Sequence, residues 1–476
     1  MKRVFALAAF SVVLVFADVS PARGQALSPV NQLAHDIFKQ LIEINTTDSV
    51  GNVTTAAEAM GQRLRDAGFA GNEVIVAGPN DRKKNLVVRF HGSGKRKPVL
   101  FIGHLDVVEA RREDWTTDPF QFVERDGFYY GRGTDDMKEG DALLVTSFIR
   151  LKQEGFTPDR DLILALTADE EGGDYNGIDW LIKEHRDWIA AEYCINLDGG
   201  EFERAGNKRL LAGIQASEKV YADYQFEARN PGGHSSLPSP DNAIYHLAAA
   251  LERLQNFSFP VANSDITRNF FAKTSAMASG QMSEDLQAAA KQPPDSAAIA
   301  RLSQNVYYNS LLHTTCVATM LNGGHAPNAL PQRARANVNC RIFPGEDPEE
   351  IRRTLERVAA DAKVVVTVVP EKTADGKLIP LVSVPPSPLL PELTAAIERI
   401  LGAMWPGVPL VPTMATGASD GKFLRIAGIP TYGISCMFFE MNDNRAHGKD
   451  ERVGVQDFYD GVEFNYKLIK ELSAPR

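Results

Sequence analysis

The hydrophobic positions of this chain change their spacing twice along its length. Residues 27–45 and 54–68 repeat apolar side chains every three to four positions, as amphipathic helices do. The run Asn85-Leu86-Val87-Val88-Arg89-Phe90 reads as a strand. Val99–Gly103, Leu162–Thr167 and Tyr193–Leu197 are short, nearly continuous apolar runs, the mark of strands buried on both faces. Helical periodicity over Asp141–Gly155, closed by a glycine, and over 176–190 falls between them. Such alternation predicts an α/β fold with a largely parallel sheet between helical layers.

Near residue 216 the texture shifts. Val220–Ala228 alternates like a strand with one solvated face, and Asn242–Leu254 has helical spacing. The stretch 257–310 is polar and helical in pattern, an insertion. Thr314–Met320 and Ala334–Phe343 read as a strand pair, Asp347–Ala360 as a helix and Lys363–Val369 as a last strand. This predicts a small α+β domain. From about Leu390 the buried pattern returns, with Ile429–Ile434 as a strand. The expected organisation is a first domain over 27–215 and 376–476, interrupted by a second over 216–375.

The N-terminus changes the picture. Lys2-Arg3, an apolar stretch from Val4 to Phe16, and small residues around Ala22 and Ala26 read as a secretory signal peptide over 1–26. The stretch is too short for a stable membrane span. Export to a periplasm or beyond is expected. At 476 residues the chain exceeds one core. A net charge of −10 without basic tracts argues against nucleic acid or an anionic membrane as partner. Cys194, Cys316, Cys340 and Cys436 are too scattered for a zinc knuckle or a CxxC motif. Cys316 and Cys340 lie on runs able to pair as neighbours, but buried free thiols are the expectation.

Chemistry gathers at the strand ends. His104 closes one apolar strand in a His-x-Asp with Asp106; Asp169-Glu170-Glu171 follow the next; Asp198 follows the third. The loop Gly131-Arg132-Gly133-Thr134-Asp135-Asp136-Met137-Lys138 opens a helix. In open α/β sheets, sites assemble at the carboxyl edge of the strands. Oxygen and nitrogen donors without thiolates suit zinc, manganese or cobalt. Of the adjacent pair Glu170-Glu171, one can bind metal while the other takes a proton from water. A solvated helix start or a plain glycine turn would explain either cluster alone. Walker, dinucleotide and nucleophile-elbow patterns are absent.

The segments GHLDVV, GRGTDDMKEG, TADEEGG, NLDGGE, GGHSS, NALP then NCRIFP, GASDGKFLRIAGIPTYGI and AHGKDE occur in that order. Together they resemble the di-zinc exopeptidase and amidohydrolase family of aminoacylase-1, carboxypeptidase G, carboxypeptidase S, carnosinase and succinyl-diaminopimelate desuccinylase. The resemblance runs from about residue 30 to 470. It implies a zinc-exopeptidase-like three-layer catalytic domain interrupted by an α+β lid or dimerisation domain. It implies two divalent metal ions, zinc foremost with cobalt or manganese as alternatives. His104, Asp136, Glu171, Asp198 and His447 would be the ligands, Asp136 bridging. Asp106 would orient His104, and Glu170 would be the general base. His234 would stabilise an oxyanion, often from a partner subunit. Asn328, Arg341 and, with Ser419 and Asp420, Gly417 would hold the substrate.

The implied activity is hydrolysis of a peptide or amide bond beside a free carboxylate, as in a carboxypeptidase or dipeptidase. N-acyl amino acid deacylation is the alternative. An inactive binding homologue is disfavoured, because no ligand or base is missing. The expected partner is a small peptide or N-acyl amino acid, with a homodimer left open. The sequence departs at Glu139, where many relatives have glycine, adding a charge near the site entrance. It departs again in the extra 257–310 stretch of the inserted domain.

Overall fold

The computed structural model describes residues 26–475 apart from 371 and 373–375. The proposed signal peptide therefore lies, but for Ala26, outside the described residues. Among the described residues no helix is long and apolar enough to cross a membrane.

The apolar runs become a ten-stranded sheet. At its centre Val99–His104 lies parallel to both Leu162–Thr167 and Tyr193–Asn196, and Tyr193–Asn196 lies parallel to Thr431–Gly433. Every residue of the first three strands is buried, which is why they lack alternation. Helices Pro29–Glu43, Lys138–Gln153, Pro391–Met404 and Val455–Ser473 share the core on one face. Helices Gly177–Glu184 and Gly421–Ile426 cover the other, through Ile178, Leu181 and Leu424. The result is a three-layer α/β/α arrangement.

Residues 220–369 contribute a separate four-stranded antiparallel sheet, in the order Thr315–Gly323, Arg333–Ile342, Val220–Arg229, Val364–Val369. Helices Ala243–Gln255 and Pro348–Ala359 pack on one face of it. The alternation of buried and half-buried positions along Arg333–Ile342 is the one-sided pattern expected.

Three details differ from expectation. Cys316 and Cys340 are directly opposite on adjacent strands and form a disulfide; only Cys194 and Cys436 are buried free thiols. The helices within 257–310 send Phe270, Phe271, Leu286 and Ile299 into the core of the large sheet, not that of the inserted domain. Lys273 Nζ anchors them by donating to Leu410 O at 2.7 Å. Finally, the helix expected from Asp141 begins at Lys138, so Glu139 sits in its first turn and is buried. Glu139 is therefore not a charge at the site entrance.

Candidate metal centre and substrate cleft

His104 ends the central strand, 1% exposed, because the strand carries it to the carboxyl edge of a buried sheet. Its Nε2 lies 3.2 Å from Asp136 Oδ1. The other oxygen of Asp136 lies 3.0 Å from His447 Nε2, which is also 2.9 Å from Glu171 Oε2. One carboxylate thus faces two imidazoles from opposite ends of the chain. His104, Asp136 and Glu171 offer donor atoms within 4.8 Å of one another, as do His104, Glu170 and Asp198. All six residues converge.

Asp106 does more than orient a histidine. His104 Nδ1 is 3.0 Å from its backbone carbonyl and 3.7 Å from its carboxylate. The carboxylate accepts the backbone N–H groups of Glu170 and Glu171 at 3.2 and 3.1 Å. It therefore fixes the turn that aims both glutamates. Asp169, first of the acidic triplet, points elsewhere: it adopts φ 57° and pairs with buried Lys83.

Charge in the cluster is unbalanced. Burial, then Asp198, holds the Glu170 carboxyl well above its ordinary range. Burial and neighbouring Asp136 push Asp198 up to about 8. Hydrogen bonds to Asp136 and Glu171 raise His447 to about 10. Burial opposes protonation of His104, yet the bond to Asp136 and the charges of Glu170 and Asp106 leave it raised. Two carboxyls that resist ionisation, Glu170 and Asp198, beside imidazoles that hold protons mark a donor set suited to balance by cations. Four carboxylates and two imidazoles fit a pair of divalent cations.

Buried braces hold this set. Glu451, fully buried, accepts the backbone N–H groups of Gly133, Asp135 and Asp136 at 3.1, 2.7 and 3.1 Å, and pairs with Arg132. The loop bearing Asp136 is thereby tied to the segment bearing His447. Sequence reasoning quoted Arg132 and Glu451 inside motifs but gave them no role, and missed Lys83. A buried acid and a buried arginine in glycine-rich segments were the available signal.

Glu170, Glu171 and His447 open onto a cavity of 1490 Å³ between the two sheets' domains. Arg341 and Gly417 also line it. The Arg341 guanidinium lies over the Tyr221 ring at 4.8 Å. No carboxylate comes within ion-pairing distance of it among the described residues. A Cβ built on Gly417 would meet nothing within 4 Å. Ser419 and Asp420 face inward, Ser419 Oγ donating to Glu218 and Asp420 accepting from Thr167 and Asn176.

His234 and Asn328 come together elsewhere. His234 lies on a two-stranded ribbon, Gly233–His234 against Ala329–Leu330, and Asn328 O accepts from Ser235 N at 3.1 Å. Both are exposed and neither lines the cavity holding Glu170.

A three-layer α/β/α domain with a histidine–carboxylate cluster at its sheet edge, interrupted by an α+β domain, defines a metallopeptidase-type hydrolase. The chain belongs to peptidase family M20/M25/M40, whose match spans residues 100–471. It is 26% identical over 448 residues to the mouse N-fatty-acyl-amino acid synthase/hydrolase PM20D1, covering 88% of this chain and 83% of that one. It is 27% identical to a probable carboxypeptidase S-like 2 of Dictyostelium discoideum, covering 81% and 74%. Among solved structures, the M20 family metallo-carboxypeptidase Sso-CP2 of Sulfolobus solfataricus superposes with a TM-score of 0.64 at 14% identity, covering 92% and 99%. At that identity the likeness speaks for the fold.

Proposed function

We propose that this member of the family is a zinc-dependent hydrolase cleaving a peptide or amide bond beside a free carboxylate. The observation that carries this is Asp136, whose two oxygens face His104 and His447 from opposite sides. His104, Asp136 and Asp198 would hold one cation, and Asp136, Glu171 and His447 the other. Bound there, the cations supply Lewis acidity, polarising the scissile carbonyl and making water acidic enough to react near neutral pH.

The chain's own residues do the rest. Glu171 engages His447, whereas the Glu170 side chain makes no hydrogen bond among the described residues. Glu170 is thus free to take the proton of the attacking water and pass it to the leaving nitrogen. Arg341, with no acidic partner among the described residues, suits the substrate carboxylate. His234 would stabilise the oxyanion of a second copy's substrate. The edge strand Thr315–Gly323, with Val317, Met320 and Leu321 more than half exposed, supports pairing of two inserted domains. The disulfide supports an oxidising compartment, in keeping with residues 1–26 as an export signal.

Carboxypeptidase or dipeptidase substrates and N-acyl amino acids both meet the carboxylate requirement, and the mouse and Dictyostelium relatives carry names of both kinds. The test is hydrolysis of a panel of dipeptides and N-acyl amino acids with and without chelator, beside metal analysis. About two equivalents of zinc per chain and chelator-sensitive turnover are expected. A metal-free chain, or chelator-resistant turnover, refutes the reading.

A further inference from the structure

The donor set of the proposed metal centre is a wall between two cavities. Glu170, Glu171 and His447 face the 1490 Å³ cleft, whereas Asp136 and Asp198 line a second chamber of 230 Å³ behind it. Each converging triad spans that wall. His104, Asp136 and Glu171 take one carboxylate from either side, as do His104, Glu170 and Asp198. A cation seated there can be approached from the front or from the rear.

The two approaches differ in charge. The walls of the cleft carry seven acidic and seven basic residues, and those of the rear chamber eight acidic and two basic. Both of those two are engaged, Arg204 with Glu440 and Asp457, and Arg452 with Asp443. Asp135, Glu139, Glu201 and Glu203 line the chamber and form no ion pair among the described residues. The Asp135 carboxylate accepts only the backbone N–H of Arg445, at 3.3 Å. Glu139 is 3% exposed, and its Oε2 has no hydrogen-bond partner at all. Glu201 is exposed, Glu203 and Asp135 are half-buried and Glu139 is buried. Uncompensated carboxylates thus line the way from solvent to Asp136 and Asp198. Such a lining focuses a negative field and concentrates cations.

The chamber suits a hydrated ion in passage better than a stripped ion at rest. Outside the two triads, no three donors converge within 4.8 Å among the described residues. The volume holds a divalent cation with about six waters at about 30 Å³ each. We propose that the rear chamber is the route by which divalent cations enter and leave the centre. Glu201 and Glu203 draw the hydrated ion from solvent, and it passes Glu139 to reach Asp136 and Asp198. Metal and substrate then use opposite faces of the same wall. This rests on the two-cation reading above and specifies how that centre is filled.

The full chain, stripped by chelator, is mixed with cobalt(II), whose visible absorption follows binding directly and without turnover. The double variant Glu201→Gln/Glu203→Gln, at exposed and half-buried positions, should slow uptake about tenfold, the scale of electrostatic focusing. Glu139→Gln should do the same. Release to excess chelator should slow in step, leaving affinity, a stoichiometry of two ions and the kcat of the loaded protein unchanged. Uptake by the parent should fall steeply as salt rises, and less so in the double variant. Lys183→Glu, which adds negative charge to the cleft wall, should leave both rates alone. Unchanged rates in the rear variants, or faster uptake in Lys183→Glu, would overturn the rear route while the two-cation reading stands. Faster release with weaker affinity would make these glutamates ligands and overturn the route as well. If the parent binds no cobalt, the two-cation reading falls and the route falls with it.

Discussion

The two histidine-bearing regions of the molecule are built to different standards. At the sheet edge, His104, Asp136, Glu171 and His447 contact one another and are gripped by Asp106 and Glu451. The ribbon carrying His234 and Asn328 is two residues against two, exposed, and apart from the cavity of Glu170. An imidazole that, among the described residues, hydrogen-bonds only the neighbouring Ser236 is not preorganised for chemistry. The contrast separates the proposed cation site, whose candidate donors come from one chain, from oxyanion stabilisation, which the proposed reading draws from a second chain.

Removing the shared carboxylate is the most severe way to test the first half. Asp136→Ala should lose both cations and all measurable turnover; a variant that keeps two zinc ions by elemental analysis breaks the bridging assignment. Next, Glu170→Gln should lower kcat by about 10²–10⁴-fold while retaining the metals. Turnover within a few fold of the parent would remove Glu170 from the mechanism. His234→Ala probes the second half and should lower kcat by about 10²–10³-fold. Mixing it with Glu170→Gln should then restore part of the activity, because a mixed dimer holds one intact composite site. If each chain used its own His234, mixing would recover nothing.

Smaller effects sharpen the picture. Glu451→Gln, which leaves the ligands in place but weakens their brace, should loosen the metals by about 10–100-fold in chelator competition. Unchanged affinity would mean the brace serves the fold alone. Replacing both Cys316 and Cys340 by serine, closing points of a loop with a sequence separation of 24, should cost about 3 kcal/mol in denaturant unfolding. Activity at room temperature should barely move.

The strand-end chemistry was legible because buried parallel strands announce themselves as unbroken apolar runs and end where ligands stand. His104, Asp198 and the Glu170-Glu171 pair could be read off in this way. The strand Lys208–Glu218 escaped, since its buried stretch from Leu211 includes the polar residues Gln215, Ser217 and Glu218, of which Gln215 and Glu218 hydrogen-bond each other. Glu139 was misread for a similar reason: burial of an acid leaves no trace in composition. The braces are contacts across long stretches of chain, Lys83 to Asp169 and Glu451 to Asp136, which no local pattern encodes. The disulfide needed the register of two strands, and the packing of the 257–310 helices needed to know which core they face.

His447 and Glu451 occupy a single short segment, and that neighbourhood has a consequence for how the centre comes apart. In the proposed centre, any opening of the segment would withdraw a donor from one cation and, in the same movement, free the loop whose aspartate would serve both. Demetallation should therefore be concerted, with a half-filled centre too short-lived to accumulate during titration with a chelator.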